Sequence, residues 1–147
     1  MLADTLKILL ATSYGFAIKA QNFHWNVEGP DFPQYHKFFG KIYEEVFENA
    51  IDQAAEYVRV LGSYTPGSFT RMMELCQIED QLKIPRAELM LAELHEDNEK
   101  LLMMWKEAFK IAEEADEQGI CDFIASRIDA HGKWAWQLRS TLHKARA

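Results

Sequence analysis

Residues 28–33 read Glu28-Gly29-Pro30-Asp31-Phe32-Pro33, two prolines and a glycine within six positions, and no helix continues through such a stretch. On either side of it, apolar residues recur at helical spacing. Leu2, Leu6, Leu9, Ala17 and Phe23 keep to one side of the segment before the break. Phe38, Ile42, Val46, Ile51, Ala55 and Val58 do the same after it. Two further breaks follow, Gly62-Ser63-Tyr64-Thr65-Pro66-Gly67 and Asp116-Glu117-Gln118-Gly119, and Pro85 suits the first turn of a new helix. Beyond Pro85 the same spacing returns in Leu94, Leu101, Trp105, Ala108 and Ala112, then in Ile120, Phe123, Ile124, Ile128 and Leu138. The pattern predicts helices over about 3–27, 34–62, 86–115 and 119–144.

Four helices of this length make an all-α four-helix bundle, one domain over residues 1–147. The connection between the second and third helices spans about 23 residues, too long for a tight antiparallel turn. Within it, Ser68 to Leu75 has the length of a short helix, with Ser68 as its N-cap. A long crossover at that point is the device of ferritin-like bundles.

Composition narrows the function. Hydrophobic residues are 48% and charged residues 27% of 147, the balance of a folded globular chain rather than a disordered one. Only 7 Gly and 4 Pro leave too few turns for an all-β sandwich. The net charge of −7 suits cations as ligands and opposes nucleic acid. Cys76 and Cys121 cannot make a disulfide framework or a thiolate zinc site, and are expected as reduced, half-buried thiols. No signal peptide and no run of about 18 apolar residues is visible, so a cytoplasmic protein without a membrane span is expected.

Hydrolase chemistry has no foothold: H-E-x-x-H, G-x-S-x-G, the phosphate loop and the dinucleotide fingerprint are all missing. A di-iron site inside one bundle requires Glu three residues before each of two histidines. The residues before His24, His36, His95, His131 and His143 are Gln21, Pro33, Ala92, Ile128 and Ser140, so that site is absent. What remains is a histidine pair, His24 and His36, folded toward each other across Gly29-Pro30, and a carboxylate pair, Asp52 and Glu56, on one helix face. By spacing alone such a carboxylate pair is more often a solvated helix face. Imidazole and carboxylate together suit iron, zinc or manganese. His36 and Asp52 lie 16 residues apart on one helix, about 24 Å. If the four residues form one site, the histidines must come from one subunit and the carboxylates from another, across a two-fold axis.

The run Asn22-Phe23-His24-Trp25-Asn26-Val27-Glu28-Gly29-Pro30-Asp31-Phe32, followed by His36, Ile51-Asp52, Ala55-Glu56 and Leu61-Gly62, closely resembles the Dps family of mini-ferritins. The resemblance extends over the whole chain in helix order and length. It implies a dodecameric shell that oxidises Fe(II) with hydrogen peroxide or dioxygen and stores Fe(III) against oxidative stress. It also implies a ferroxidase centre at the two-fold interface, with His24 and His36 from one subunit and Asp52 and Glu56 from its partner. In that scheme Glu56 bridges the metals, Trp25 stands beside them, and zinc or manganese can replace iron.

Two positions depart from the family pattern. Gly40 stands four residues after the second histidine, where the family commonly has Asp, which implies a weaker subsite or one completed by water. The spacing from His36 to Asp52 is 16, one more than the family's usual 15. One extra residue turns a regular helix by about 100°. A π-bulge near Glu48-Asn49 is therefore predicted; otherwise Glu48 joins the site. These departures keep a second reading open, a shell without ferroxidase activity that binds metal or DNA structurally.

The remaining chemistry is peripheral. Glu44, Glu45 and Glu48 are candidates for an acidic mineral-seeding surface or, about equally, for solvated helix charge; the resemblance implies an acidic entry pore for Asp116, Glu117 and Asp122, where sequence alone favours a solvated turn. The tryptophans and methionines, among them Trp105, Trp134, Trp136, Met72, Met73, Met103 and Met104, are read as core or interface packing. A basic patch of Arg139, His143, Lys144 and Arg146 is the nearest thing to a DNA contact. Twelve copies at −7 would carry roughly −84, which repels phosphate. DNA should be bound weakly and only at low salt: a gel-shift series should show no complex by about 150 mM salt, and compaction persisting there would contradict it.

Overall fold

The alternation of breakers with apolar-periodic runs yields five helices over residues 1–142, the residues that the computed structural model describes. They are α1 (Leu2–Asn26), α2, a short α3 (Phe69–Leu75), α4 (Ala87–Glu114) and α5 (Gln118–Leu142). Helix α2 runs as Phe32–Val46 and Asp52–Val60, joined by a π turn at Phe47–Ile51. His143, Lys144 and Arg146 of the basic patch, and the predicted end of the last helix, lie outside the described residues. Among the described residues no helix is long and apolar enough to cross a membrane.

Each helix stops where its last carbonyls find other donors. At the end of α2, Gly62 takes φ 90°, and the amides of Gly62 and Ser63 bond the carbonyls of Arg59 and Val58. This is the Schellman closure, which needs a left-handed residue. Asp116, at φ 59°, makes the same closure after α4, with the amides of Asp116 and Glu117 on Glu113 and Ala112. A short polar side chain tolerates that conformation better than most. Ser68 caps α3, its hydroxyl accepting from the Arg71 amide at 3.2 Å, as predicted.

Helices α1 and α2 pack as one pair, α4 and α5 as another, and α1 bridges to α4 and α3. Phe16, Phe23, Phe39, Ile42, Leu94, Leu101 and Trp105 are inaccessible between them. Each buried side chain of this kind contributes about 1.5–3 kcal/mol against the exposed state. The crossover is tied to α1 by the Gln77 amide on Thr12 Oγ1 at 3.1 Å. It approaches so closely that a Cβ on Gly15 would lie 2.6 Å from Cys76 Sγ. Cys76 and Cys121 are half-buried. Of the aromatic and sulfur residues assigned to packing, Trp105 and Trp134 are buried, whereas Trp136, Met73 and Met103 lie on the surface of the single chain.

The π turn falls where the extra residue was expected. Val46, Ala50, Ala54 and Val58 are all buried, at strict four-residue intervals. On a regular α-helix that interval drifts by about 40° per step and would carry the row off the core. The wider π turn resets the phase, so both halves of α2 keep their apolar face inward.

The centre of the bundle is polar and closed. Arg127 of α5, 1% exposed, makes a two-pronged ion pair with Glu45 of α2, its Nη1 and Nη2 donating to Oε2 and Oε1 at 2.5 and 3.1 Å. Trp134 Nε1 donates to Glu45 Oε1 at 2.9 Å, and Asn49 Nδ2 to Oε2 at 3.2 Å. Arg127 Nη2 also lies 3.0 Å from His131 Nε2, which must accept because a guanidinium only donates. His131 Nδ1 therefore carries the proton and donates to Asn98 Oδ1 at 2.8 Å, while Asn98 Nδ2 donates to the His131 carbonyl at 2.9 Å. Three helices are linked in one chain of hydrogen bonds. Glu45 is thus unavailable as a mineral-seeding carboxylate, correcting the reading from charge pattern alone; Glu44 and Glu48 remain exposed.

Burial acting alone would raise the Glu45 carboxyl, but the hydrogen bonds and charge of Arg127 outweigh it and hold it below the ordinary carboxylate value. His131 is pushed from 6.5 to about 3, first by burial and then by the Arg127 charge, against an opposing pull from Glu45. The signs agree. Unfolded chain takes up a proton at position 131 below about 6.5 that the folded chain refuses until about 3. Ionised Glu45 stabilises the fold above the unfolded carboxyl pKa, and that stabilisation is lost as pH falls through its lowered folded value. The urea midpoint should therefore fall as pH drops from 6.5 toward 3, and less steeply in His131→Gln. Arg127→Ala leaves Glu45 without its partner and should lower stability by about 3–5 kcal/mol in chemical denaturation.

Candidate metal centre

His24 stands in the last turn of α1, where carbonyls have no donor within the helix. Val27 then turns extended at φ −63°, ψ 143° and is buried, and Pro33 sets the first turn of α2. His36 follows on that first stretch of α2. The two helices leave the break side by side, and the two rings meet.

They meet in a reciprocal clasp. His24 Nδ1 bonds the backbone carbonyl of His36, and His36 Nδ1 bonds the carbonyl of His24 at 2.7 Å. The rings stack with centroids 3.9 Å apart and planes 14° from parallel. Phe32, one turn before His36, stacks on its ring at 5.0 Å, and Tyr43 meets the His24 ring edge-on at 5.4 Å. A carbonyl only accepts, so each Nδ1 carries the proton and each neutral ring keeps its lone pair on Nε2. A carbonyl accepting from Nδ1 fixes the orientation of an imidazole, as it does in many metal-binding histidines. The negative pole at the end of α1 adds a favourable field for a cation.

Asp52 and Glu56 share one exposed face of α2 beyond the π turn, with no ion-pair or hydrogen-bond partner among the described residues. The helix runs without a break from Phe32 to Val60, so Asp52 and Glu56 stay about 24 and about 30 Å from His36 in the same chain. Accordingly, no group of three or more His, Cys, Asp or Glu able to hold a cation occurs among the described residues of one chain. The structure brings the two histidines together and the two carboxylates together, and keeps the pairs apart. Trp25, next to His24, is 63% exposed.

Sequence reasoning missed two contributors. Phe32 and His36 stand four apart, a spacing at which an aromatic pair on one face was legible. The other is Gly40: a Cβ at this buried position would lie 2.9 Å from both Cε1 and Nδ1 of His24. Nothing local announces that contact.

A 610 Å³ groove opens between α1 and α3, lined among others by Ile18, Phe69, Met72 and Met73. Phe69 is 87% and Met73 73% exposed there. Trp25 stands two turns beyond Ile18 on the same face of α1. An exposed apolar groove of this kind is unusual for a chain that stays alone in water.

Comparison with known proteins gives the following. The ferritin-like domain family matches residues 3–147. A low temperature-induced protein of Nostoc is 35% identical over 133 residues, covering 89% of this chain and 74% of its own. A DNA protection during starvation protein of Brevibacillus brevis is 30% identical over 125 residues, covering 85% of this chain and 83% of its own. The crystal structure of a Dps protein from Bacillus brevis superposes with a TM-score of 0.91 at 28% identity, covering 96% of this chain and 94% of that one.

Proposed function

The chain belongs to the ferritin-like domain family and, within it, to the Dps proteins, and from that premise we propose that it oxidises Fe(II) and stores the ferric product in a dodecameric shell. Iron is here the substrate and cargo. The carrying observation is the clasp: two imidazoles locked as Nδ1–H tautomers, each with Nε2 left for a cation. Asp52 and Glu56, exposed and unpartnered on α2, supply the oxygen donors from a second subunit. The exposed apolar side chains of Trp25, Phe69 and Met73 support the assembly that this requires. Arg127, paired with Glu45, occupies the bundle centre, which supports a reaction at the subunit boundary instead.

At such a centre, nitrogen and carboxylate ligands would hold Fe(II) loosely, and Glu56 would bridge two ions as the resemblance implies. Two Fe(II) each give up one electron. One hydrogen peroxide takes both, its O–O bond breaks, and two protons complete two water molecules. The harder Fe(III) then favours oxygen ligands and leaves the imidazoles, with exposed Glu44 and Glu48 as candidate receivers. Removal of Fe(II) and peroxide together would protect a cell from oxidative damage. Dioxygen is the other candidate oxidant.

The competing reading, a shell without ferroxidase activity, rests on Gly40 in place of an acid, and one experiment separates the two. Anaerobic loading with Fe(II) followed by peroxide should give fast oxidation in the wild type and a loss of at least about tenfold in His36→Ala and in Glu56→Ala. Unfolding the two variants, mixing them and reassembling them should restore about a quarter of the wild-type sites, because half of random two-fold pairs are mixed and each mixed pair has one intact site. Slow oxidation indifferent to both substitutions would favour the inactive shell; no recovery on mixing would place each site within one chain.

A further inference from the structure

A chain of aromatic rings leaves the histidine clasp through α2 and returns to α1. Tyr43 meets the His24 ring edge-on, with centroids 5.4 Å apart and planes at 60°. Phe47, four residues on and so one turn along the same face, meets Tyr43 at 6.0 Å and 84°. Phe47 opens the π turn, and its ring reaches across to α1, where it meets Tyr14 at 5.4 Å and 87°. Each contact has the edge-to-face geometry that aromatic rings favour. His24 and Tyr14 lie ten residues apart on α1, about 15 Å along its axis, and the rings of α2 bridge that distance. Tyr14 lines the apolar groove, whose wall also holds Met72, Met73 and Cys76.

The proposed reaction gives such a chain a use. Reduction of hydrogen peroxide to water takes two electrons, and each Fe(II) supplies one. Two ions in one site suffice. Position 40 carries no carboxylate, so the second subsite is the weaker one, and a site holding a single Fe(II) is short of an electron. Without another donor, Fe(II) and hydrogen peroxide give Fe(III), hydroxide and a hydroxyl radical. His36 and Tyr43 both contact the His24 ring, and of the two the phenol is far easier to oxidise.

We propose that Tyr43 and Tyr14 form an electron relay for this centre: when a single Fe(II) meets hydrogen peroxide, Tyr43 supplies the second electron through His24, and Tyr14 then reduces Tyr43 across Phe47. In the first step Fe(II) loses one electron, and Tyr43 loses one electron and its phenolic proton. The O–O bond breaks, one further proton comes from solvent, and two water molecules form beside Fe(III) and a Tyr43 phenoxyl radical. In the second step an electron passes from Tyr14 to Tyr43; Tyr43 regains a proton and Tyr14 loses one. The Fe(III) charge favours that direction, because it opposes an electron hole more strongly at Tyr43 than at the more distant Tyr14. The oxidising equivalent thus ends in the groove, away from the iron. This inference rests on the ferroxidase reading proposed above.

The experiment uses the assembled protein as wild type, Tyr43→Phe, Tyr14→Phe and His36→Ala. Phenylalanine keeps the ring and removes only the phenol, so a purely structural role at either tyrosine predicts no spectroscopic change. Anaerobic protein carrying one Fe(II) per site is mixed with hydrogen peroxide, frozen within milliseconds and read by electron paramagnetic resonance. Wild type should give a tyrosyl signal that narrows when the protein is made with ring-deuterated tyrosine. Tyr43→Phe should lose that signal and release hydroxyl radical to a spin trap, whereas Tyr14→Phe should hold the radical on Tyr43 and lengthen its life. His36→Ala should lose iron oxidation and signal together. A tryptophan radical in place of the tyrosyl one, a signal that survives Tyr43→Phe or His36→Ala, or a decay that Tyr14→Phe leaves unaltered overturns the relay. Fast Fe(II) oxidation in the wild type with no tyrosyl signal overturns the relay and leaves the ferroxidase reading standing. Absence of both in the wild type overturns the two together.

Discussion

The Glu45–Arg127 ion pair is the buried contact around which the centre of the bundle is built. It joins α2 to α5 through the middle of the bundle; Trp134 and Asn49 add hydrogen bonds to Glu45, His131 accepts one from Arg127, and Asn98 holds His131. A guanidinium that is 1% exposed cannot be hydrated, so the pair persists only because each charge answers the other. The same pair fills the bundle centre with an arginine and its carboxylate partner. Burial and that charge keep His131 neutral, with one nitrogen accepting and the other donating, so it has no lone pair to spare. In the proposed reading, ligation therefore falls to the surface.

Helix α2 carries both halves of the proposed centre, which makes its length and phase decisive. His36 near its start faces α1, and Asp52 and Glu56 face outward past the π turn. The π turn is the physical answer to one residue more than a regular helix accommodates. It lets Val46, Ala50, Ala54 and Val58 stay buried at four-residue intervals while the polar pair remains exposed. Because the helix stays continuous, its length separates the two pairs within a chain. Assembly of subunits is therefore part of the chemistry in this reading, and the apolar surface around Trp25, Phe69 and Met73 is its structural counterpart.

At the end of α1 and the start of α2, the two imidazoles exchange hydrogen bonds with each other's backbone, and the His24 ring packs against the helix at Gly40. Orientation and tautomer are then fixed by main-chain carbonyls, and not by the acids that often serve metal-bound histidines.

Much of this protein was legible in its sequence, for a reason that is local. Helices follow from apolar period and stop at glycine, proline and Schellman turns, all of which act within a few residues; so does the Ser68 cap. The π turn was legible too, because an added residue in a helix must go somewhere near where it is added. The pairing of His24 with His36 needed only a short break between two helices. The sequence did not reveal that Glu45 answers Arg127, 82 positions away, or that His131 belongs to that network. Nor did it show that position 40 lies against the His24 ring. Those contacts arise when helices distant in the chain, or facing across a turn, settle at a particular rotation and height. Side-chain chemistry at one position carries no record of that packing; only the tertiary structure decides it.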